Sequence, residues 1–192
     1  MSNKNDFKPY ISADKVLPEL TITSIITGLI LAVVFGAANA YLGLRVGMTI
    51  SASIPAAVIS MGIIRVIMRR NSILENNMVQ TIGSAGESLA AGAIFTLPAL
   101  FMWAAESSSV VAPSFWNIAM LGLFGGILGV LFMIPLRNAL IVEEHGVLPF
   151  PEGTACAEVL LAGEEGGAKT KVVFSGLGIA AIYKFIADGI KL

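Results

Sequence analysis

Charge is scarce in this sequence. Lysine and arginine number 12 and aspartate and glutamate 13 in 192 residues, so 13% of the chain is charged against 56% hydrophobic. An average soluble domain carries roughly twice that charge, ~25%. With a mean hydropathy of +0.83, the balance is that of an integral membrane protein. Histidine and cysteine occur once each, as His145 and Cys156. One cysteine forms no internal disulfide, and one His with one Cys provides no zinc-type ligand spacing, so no metal and no cofactor is expected. A Cys–His hydrolase would need a third orienting group and an oxyanion motif, and neither is evident; an enzyme is not expected. The net charge of −1 leaves no basic surface for nucleic acid. The opening residues, MSNKNDFKPYISADKVLPEL, lack the apolar core and cleavage site of a signal peptide. Residues 1–19 read as a cytosolic tail.

What the sequence does have is long apolar runs, and they predict an all-α fold: a polytopic transmembrane bundle over residues 20–192. About five spanning helices are expected, at about 21–44, 48–68, 78–103, 117–136 and 172–191, each close to the ~20 residues a bilayer requires. Gly36, Ala37, Ala38 and Ala40 give the first a small-residue face for close helix contact. Arg45 follows between Gly43 and Gly47, either in a turn at the lipid headgroups or turned into a cavity against an anionic group. Pro55 is expected to bend the second helix. Arg65, Arg69 and Arg70, with Lys4, Lys8 and Lys15, place both ends of this hairpin in the cytosol. Asn71 to Asn77 reads as a short polar link.

The third run carries Glu87 among Gly83, Ser84, Ala85, Gly86 and Ser88. A carboxylate in hydrocarbon costs a few kcal/mol or more unless paired, hydrated or protonated, so Glu87 is either hydrogen-bonded to a facing helix or a proton-carrying, substrate-facing group. The loop Ala104 to Trp116 has no Lys or Arg, as an outside loop should. Gly122, Gly125, Gly126 and Gly129 mark a packing face on the fourth helix. Lys184 and Asp188 are spaced to pair on the last one, although a snorkelling Lys184 fits equally well.

One stretch departs from lipid chemistry. Residues 137–161, RNALIVEEHGVLPFPEGTACAEVLL, hold Glu143, Glu144, His145, Glu152, Cys156 and Glu158 with Pro149 and Pro151. The prolines stop any preceding helix, and Pro151 suits the first position of a new one. A half-helix over 151–161 is expected, lying at the membrane surface or dipping into it, with an N-terminus able to hold anionic substrate groups. Glu143, Glu144 and His145 are placed to exchange protons near neutral pH.

Three motifs in order, NAYLGLRVGMTISASIPAAVI, NNMVQTIGSAGESLAAGAIFTLPAL and IPLRNALIVEEHGVLPFPEGTACAEVL, resemble the N-terminal part of the oligopeptide transporter superfamily, closest to its bacterial and yellow stripe-like branch. The resemblance implies a secondary, proton-coupled transporter that imports small peptides or metal–chelate, siderophore-like compounds across a plasma or bacterial inner membrane, with the N-terminus cytoplasmic. It also implies that the chain is the first third of a longer protein with around sixteen helices, whose remainder, or an identical subunit, would complete the cavity. Gly43, Leu44, Arg45 and Gly47 match the family's turn after the first helix. Gly83, Gly86 and Glu87 match the third-helix motif, and Pro151, Gly153 and Thr154 the start of the half-helix. The site residues expected are therefore Glu87 for proton coupling, the half-helix from Pro151 through Gly153 and Thr154 as a substrate wall, and Arg45, Glu143, Glu144 and His145 as gate or relay. The rival expectation is a membrane assembly subunit that packs on a partner and transports nothing.

Overall fold

The computed structural model describes residues 9–189 apart from 13, 68, 70, 71 and 108. The described residues form helices and no strand: α1 (Ile22–Val46), α2 (Ser53–Met61) with a π-helical tail (Gly62–Ile67), α3 (Ile73–Glu106), α4 (Phe115–Arg137) with a second π segment (Asn138–Glu143), α5 (Pro151–Glu165) and α6 (Gly167–Gly189). Four stretches are long and apolar enough to cross a membrane: Ile22–Val46, Ile73–Glu106, Phe115–Glu143 and Thr170–Ala187. The chain is thus a multi-pass membrane protein built of helices. Two compact units divide it, one of Leu17–Ala91 with Pro151–Leu192, the other of Met1–Val16 with Gly92–Phe150.

In the first unit, α1 starts where Thr21 caps it. The Thr21 hydroxyl accepts from the Ser24 N–H and the Ser24 hydroxyl accepts from the Thr21 N–H, a reciprocal capping box. It ends at Gly47, whose φ of 76° lets its N–H turn back onto the Gly43 carbonyl. Against α1 lies the first half of α3, and small residues set the distance between them. A Cβ on Gly86 would collide with the Ala32 carbonyl, and one on Gly36 would come within 3.1 Å of the Gly86 oxygen. Only hydrogen side chains allow so close a crossing, as expected of small-residue faces in lipid. Leu31, Ile64 and Val79, with Phe35 and Ile59 against them, form the apolar core.

The second helix differs from expectation. Residues 48–52 are not helical, and α2 begins at Ser53. Pro55 therefore stands in the first turn, where its missing N–H would have had no intrahelical partner, and does not bend a longer helix. The polar link expected over 71–77 is also shorter. Ser72 accepts the Glu75 N–H and thereby caps α3, which starts at Ile73 and buries Glu75 and Asn76. The half-helix expected over 151–161 extends to Glu165, and α6 begins at Gly167 rather than near 172. Arg70 and the side chain of Asp188 lie outside the described residues, as do Lys4 and Lys8.

In the second unit, Ser114 caps α4 by accepting the Asn117 N–H, and the rings of Phe115 and Trp116 meet edge to face at 5.6 Å. Pro135 lies in the last turns of α4 and the π segment follows, closing with the Glu144 N–H on the Ala139 carbonyl. No residue of α4 is buried, and a Cβ at Gly125, Gly126 or Gly129 would meet no described atom within 4 Å.

Candidate functional site

The site grows from the break ahead of α2. Unpaired backbone at membrane depth is costly, so irregular chain survives there only when other groups satisfy it. Two buried or half-buried side chains do so. Asn39 of α1 engages both polar groups of one residue: its Nδ2 donates to the Ile50 carbonyl at 3.2 Å and its Oδ1 accepts the Ile50 N–H at 3.1 Å. Two residues on, the Ala52 N–H donates to Glu87 Oε2 at 3.4 Å. Glu87 lies about 21 Å along α3 from Ile73 at ~1.5 Å per residue, far from either end of that helix. Its carboxylate is set at the N-terminus of α2, where the helix dipole favours negative charge.

Alongside α2 lies α5, and the two run parallel. Ser51, just ahead of α2, donates its hydroxyl to Glu152 in the first turn of α5. At the other end Arg65 donates to the carbonyl of Gly163, and a Cβ on Gly163 would collide with Met61. Arg65 thus caps the C-terminus of α5, where a cation complements the dipole. Each member of the pair is short. Counting the π tail, α2 has nine plus six residues and α5 has 15, roughly 22 Å each, short of a ~30 Å hydrocarbon core. Two helix N-termini therefore meet part-way along α3, each answered by a glutamate. Discontinuous helices of this kind form the binding regions of secondary transporters.

Beside this junction a cavity of about 380 Å³ opens between α2, α3 and α5, lined by Ser53, Asn77, Gln80, Glu152, Gly153, Cys156, Ala157 and Leu160. Cys156 is buried at its wall, with Gln80 Nε2 4.0 Å from its Sγ.

Of the residues expected at the site, the first unit holds Glu87, Arg45, Pro151, Gly153 and Thr154. Glu87 and the start of α5 meet at the α2 break. Pro151 is the first residue of α5, Gly153 lines the cavity, and Thr154 is exposed one residue further. Arg45 is exposed in the last turn of α1, its guanidinium donating to the Tyr41 hydroxyl at 2.8 Å and lying 5.8 Å from that ring's centre. Glu143, Glu144 and His145 belong to the other unit, exposed at the end of the second π segment, with Asn138 Nδ2 donating to Glu143 at 3.3 Å. Among the described residues no group of three or more His, Cys, Asp or Glu is arranged to hold a metal ion.

Sequence reading missed Asn39, Ser51 and Glu75. An asparagine inside an apolar run is itself a signal, since it needs partners in lipid. For Glu75 the signal was the pattern Ser72-x-x-Glu75, a helix-start signature. Glu75 is fully buried and accepts the Thr21 hydroxyl at 2.6 Å, while Ser72 Oγ donates to the Pro18 carbonyl, so the starts of α1 and α3 are tied together.

The chain is thus a polytopic helical membrane protein with two short helices packed side by side. The family described as OPT oligopeptide transporter protein matches residues 19–191, and the chain belongs to that family. A Haemophilus influenzae protein described as a candidate oligopeptide transporter is 43% identical over 154 residues, covering 79% of this chain and 23% of that protein. The chain thus spans about a quarter of the length of this curated relative. No solved structure matches it.

Proposed function

We propose that this chain forms the N-terminal part of a proton-coupled secondary transporter that imports oligopeptides or metal–chelate compounds, with residues 1–19 and the Arg65–Ser72 connection on the cytosolic side. The observation that carries the reading is the meeting of two half-helix N-termini with Glu87 and Glu152 at the α2 break. Glu87 is the coupling site: it is the carboxylate set deep along a spanning helix, and its partner is a backbone N–H rather than a fixed cation, so it can gain and lose a proton without breaking an ion pair. The first turn of α5 forms part of the substrate wall, and Glu143, Glu144 and His145 serve as a relay at the end of the α4 segment. The substrate, the membrane lipid and the remainder of the transporter, or a second subunit, are its partners.

The full-length transporter in proteoliposomes tests this. An imposed pH gradient drives peptide or chelate uptake, and Glu87→Gln abolishes it while leaving insertion intact. Uptake with unchanged pH dependence in that variant removes Glu87 from the mechanism, and no gradient-driven uptake by the wild type removes the transport reading.

A second reading is a non-transporting membrane assembly subunit that packs on a partner through the Gly122, Gly125, Gly126 and Gly129 stripe of α4. Restoration of uptake by co-expressing this chain with the C-terminal remainder decides for the transporter.

A further inference from the structure

We infer that the cavity between α2, α3 and α5 binds the free ammonium end of the substrate, with Glu152 supplying the charge. The inference rests on the transport reading and names a subsite within it. It also reverses a sign: a half-helix N-terminus by itself suggests an anion, but here its first turn already carries a carboxylate.

The lining is rich in acceptors and has no cation. Glu152, Asn77, Gln80 and Ser53 offer oxygen, and no Lys, Arg or His lines the cavity. The Ser51 hydroxyl takes Oε1 of Glu152 and so fixes the carboxylate; Oε2 has no partner among the described residues. Asn77 and Gln80 stand three apart on α3, hence on one face and adjacent turns. On α5, Glu152, Gly153, Cys156, Ala157 and Leu160 form the facing stripe. Gly153 exposes bare backbone beside the carboxylate, while Ala157 and Leu160 give an apolar floor. An ammonium group has three donors and no acceptor. Its charge is matched by the Glu152 carboxylate, with the Asn77 and Gln80 amide oxygens and the Ser53 hydroxyl as further acceptors in the lining, whereas an anion would meet that carboxylate with no lining cation to offset it. The volume is that of a small-molecule pocket, at the low end of the ~300–1,000 Å³ range, enough for a terminal residue. Glu152 is exposed at the mouth of the cavity, so its second oxygen is open to an arriving cation.

The test uses purified full-length transporter and an alanine tripeptide with either a free or an acetylated amino terminus. Binding is read by calorimetry in detergent and uptake by proteoliposome assay. The free-amine peptide binds about tenfold tighter or more, the worth of a charge-assisted contact. Glu152→Gln brings it down to the level of the acetylated peptide, and Gln80→Leu weakens it in the same direction. Ser51→Ala, which leaves the carboxylate in place, gives an intermediate loss and guards against misfolding of the Glu152 variant. Equal affinity for the two peptides, no binding of either, or a free-amine preference that survives in Glu152→Gln each overturns the ammonium site. So does a requirement for sodium that choline cannot replace, which would mark the cavity as a metal-ion site. Peptide binding with the stated preference but without gradient-driven uptake leaves the subsite standing and removes the transport reading instead.

Discussion

Asn39 does for a membrane-embedded chain what a neighbouring strand does in a sheet: it gives one residue, Ile50, a donor and an acceptor at once. Removing it leaves the Ile50 N–H and C=O without their side-chain partner in a part-buried setting. Two net hydrogen bonds at about 0.5–1.5 kcal/mol each make Asn39→Ala destabilising by ~1–2 kcal/mol, read as a lower thermal midpoint in detergent. An unchanged midpoint would show that water reaches Ile50 and that the break lies outside the packed interior. Glu75 makes a complementary point about reading polar residues. A glutamate in a polar stretch between two apolar runs looks solvated, yet here it is fully enclosed and accepts the Thr21 hydroxyl. Residue type and local composition do not reveal this, because the enclosing groups come from Thr21, 54 positions away. Glu87 was visible for the opposite reason: its surroundings in sequence are apolar, so its cost in lipid stands out.

At the scale of elements, apolar runs and glycine patterns located the long helices, and the boundaries moved where local chemistry intervened. The start of α2 slipped to Ser53 because Pro55 belongs in a first turn and because Asn39 and Glu87 satisfy the chain ahead of it. Periodicity alone could not show that, since residues 48–52 are apolar enough to have been helical. Nor could it show that α2 and α5 lie side by side. Their contact depends on Gly163, where even one methyl group would overlap Met61. Gly163→Ala is therefore expected to destabilise the pair by about 1–3 kcal/mol through overpacking, and Met61→Ala to recover part of that loss when combined with it. A double-mutant cycle by thermal unfolding reads the coupling. Strict additivity would show that the two helices do not touch there.

For the molecule as a whole, scarcity of charge was enough to place it in lipid, and the order of three motifs pointed to its family before any coordinates. The shortness of α2 needed the structure, because hydropathy weighs residues without seeing where the chain breaks. The proposed orientation rests on the basic residues. Single cysteines at Ser72 and at Ser109, in protein whose Cys156 is replaced, should react differently in intact cells: the outside reagent labels Ser109→Cys and spares Ser72→Cys. The reverse pattern inverts the proposed topology.

The Asn39 clasp holds only main chain, and this has a practical side. The side chains of Met48 and Ile50 are 61% and 63% exposed and contribute nothing to the grip. They can be exchanged for fluorescent or spin-bearing reporters without loosening the clasp. The joint between α1 and α2 thus comes with its own mounting points, from which any movement of the break can be read.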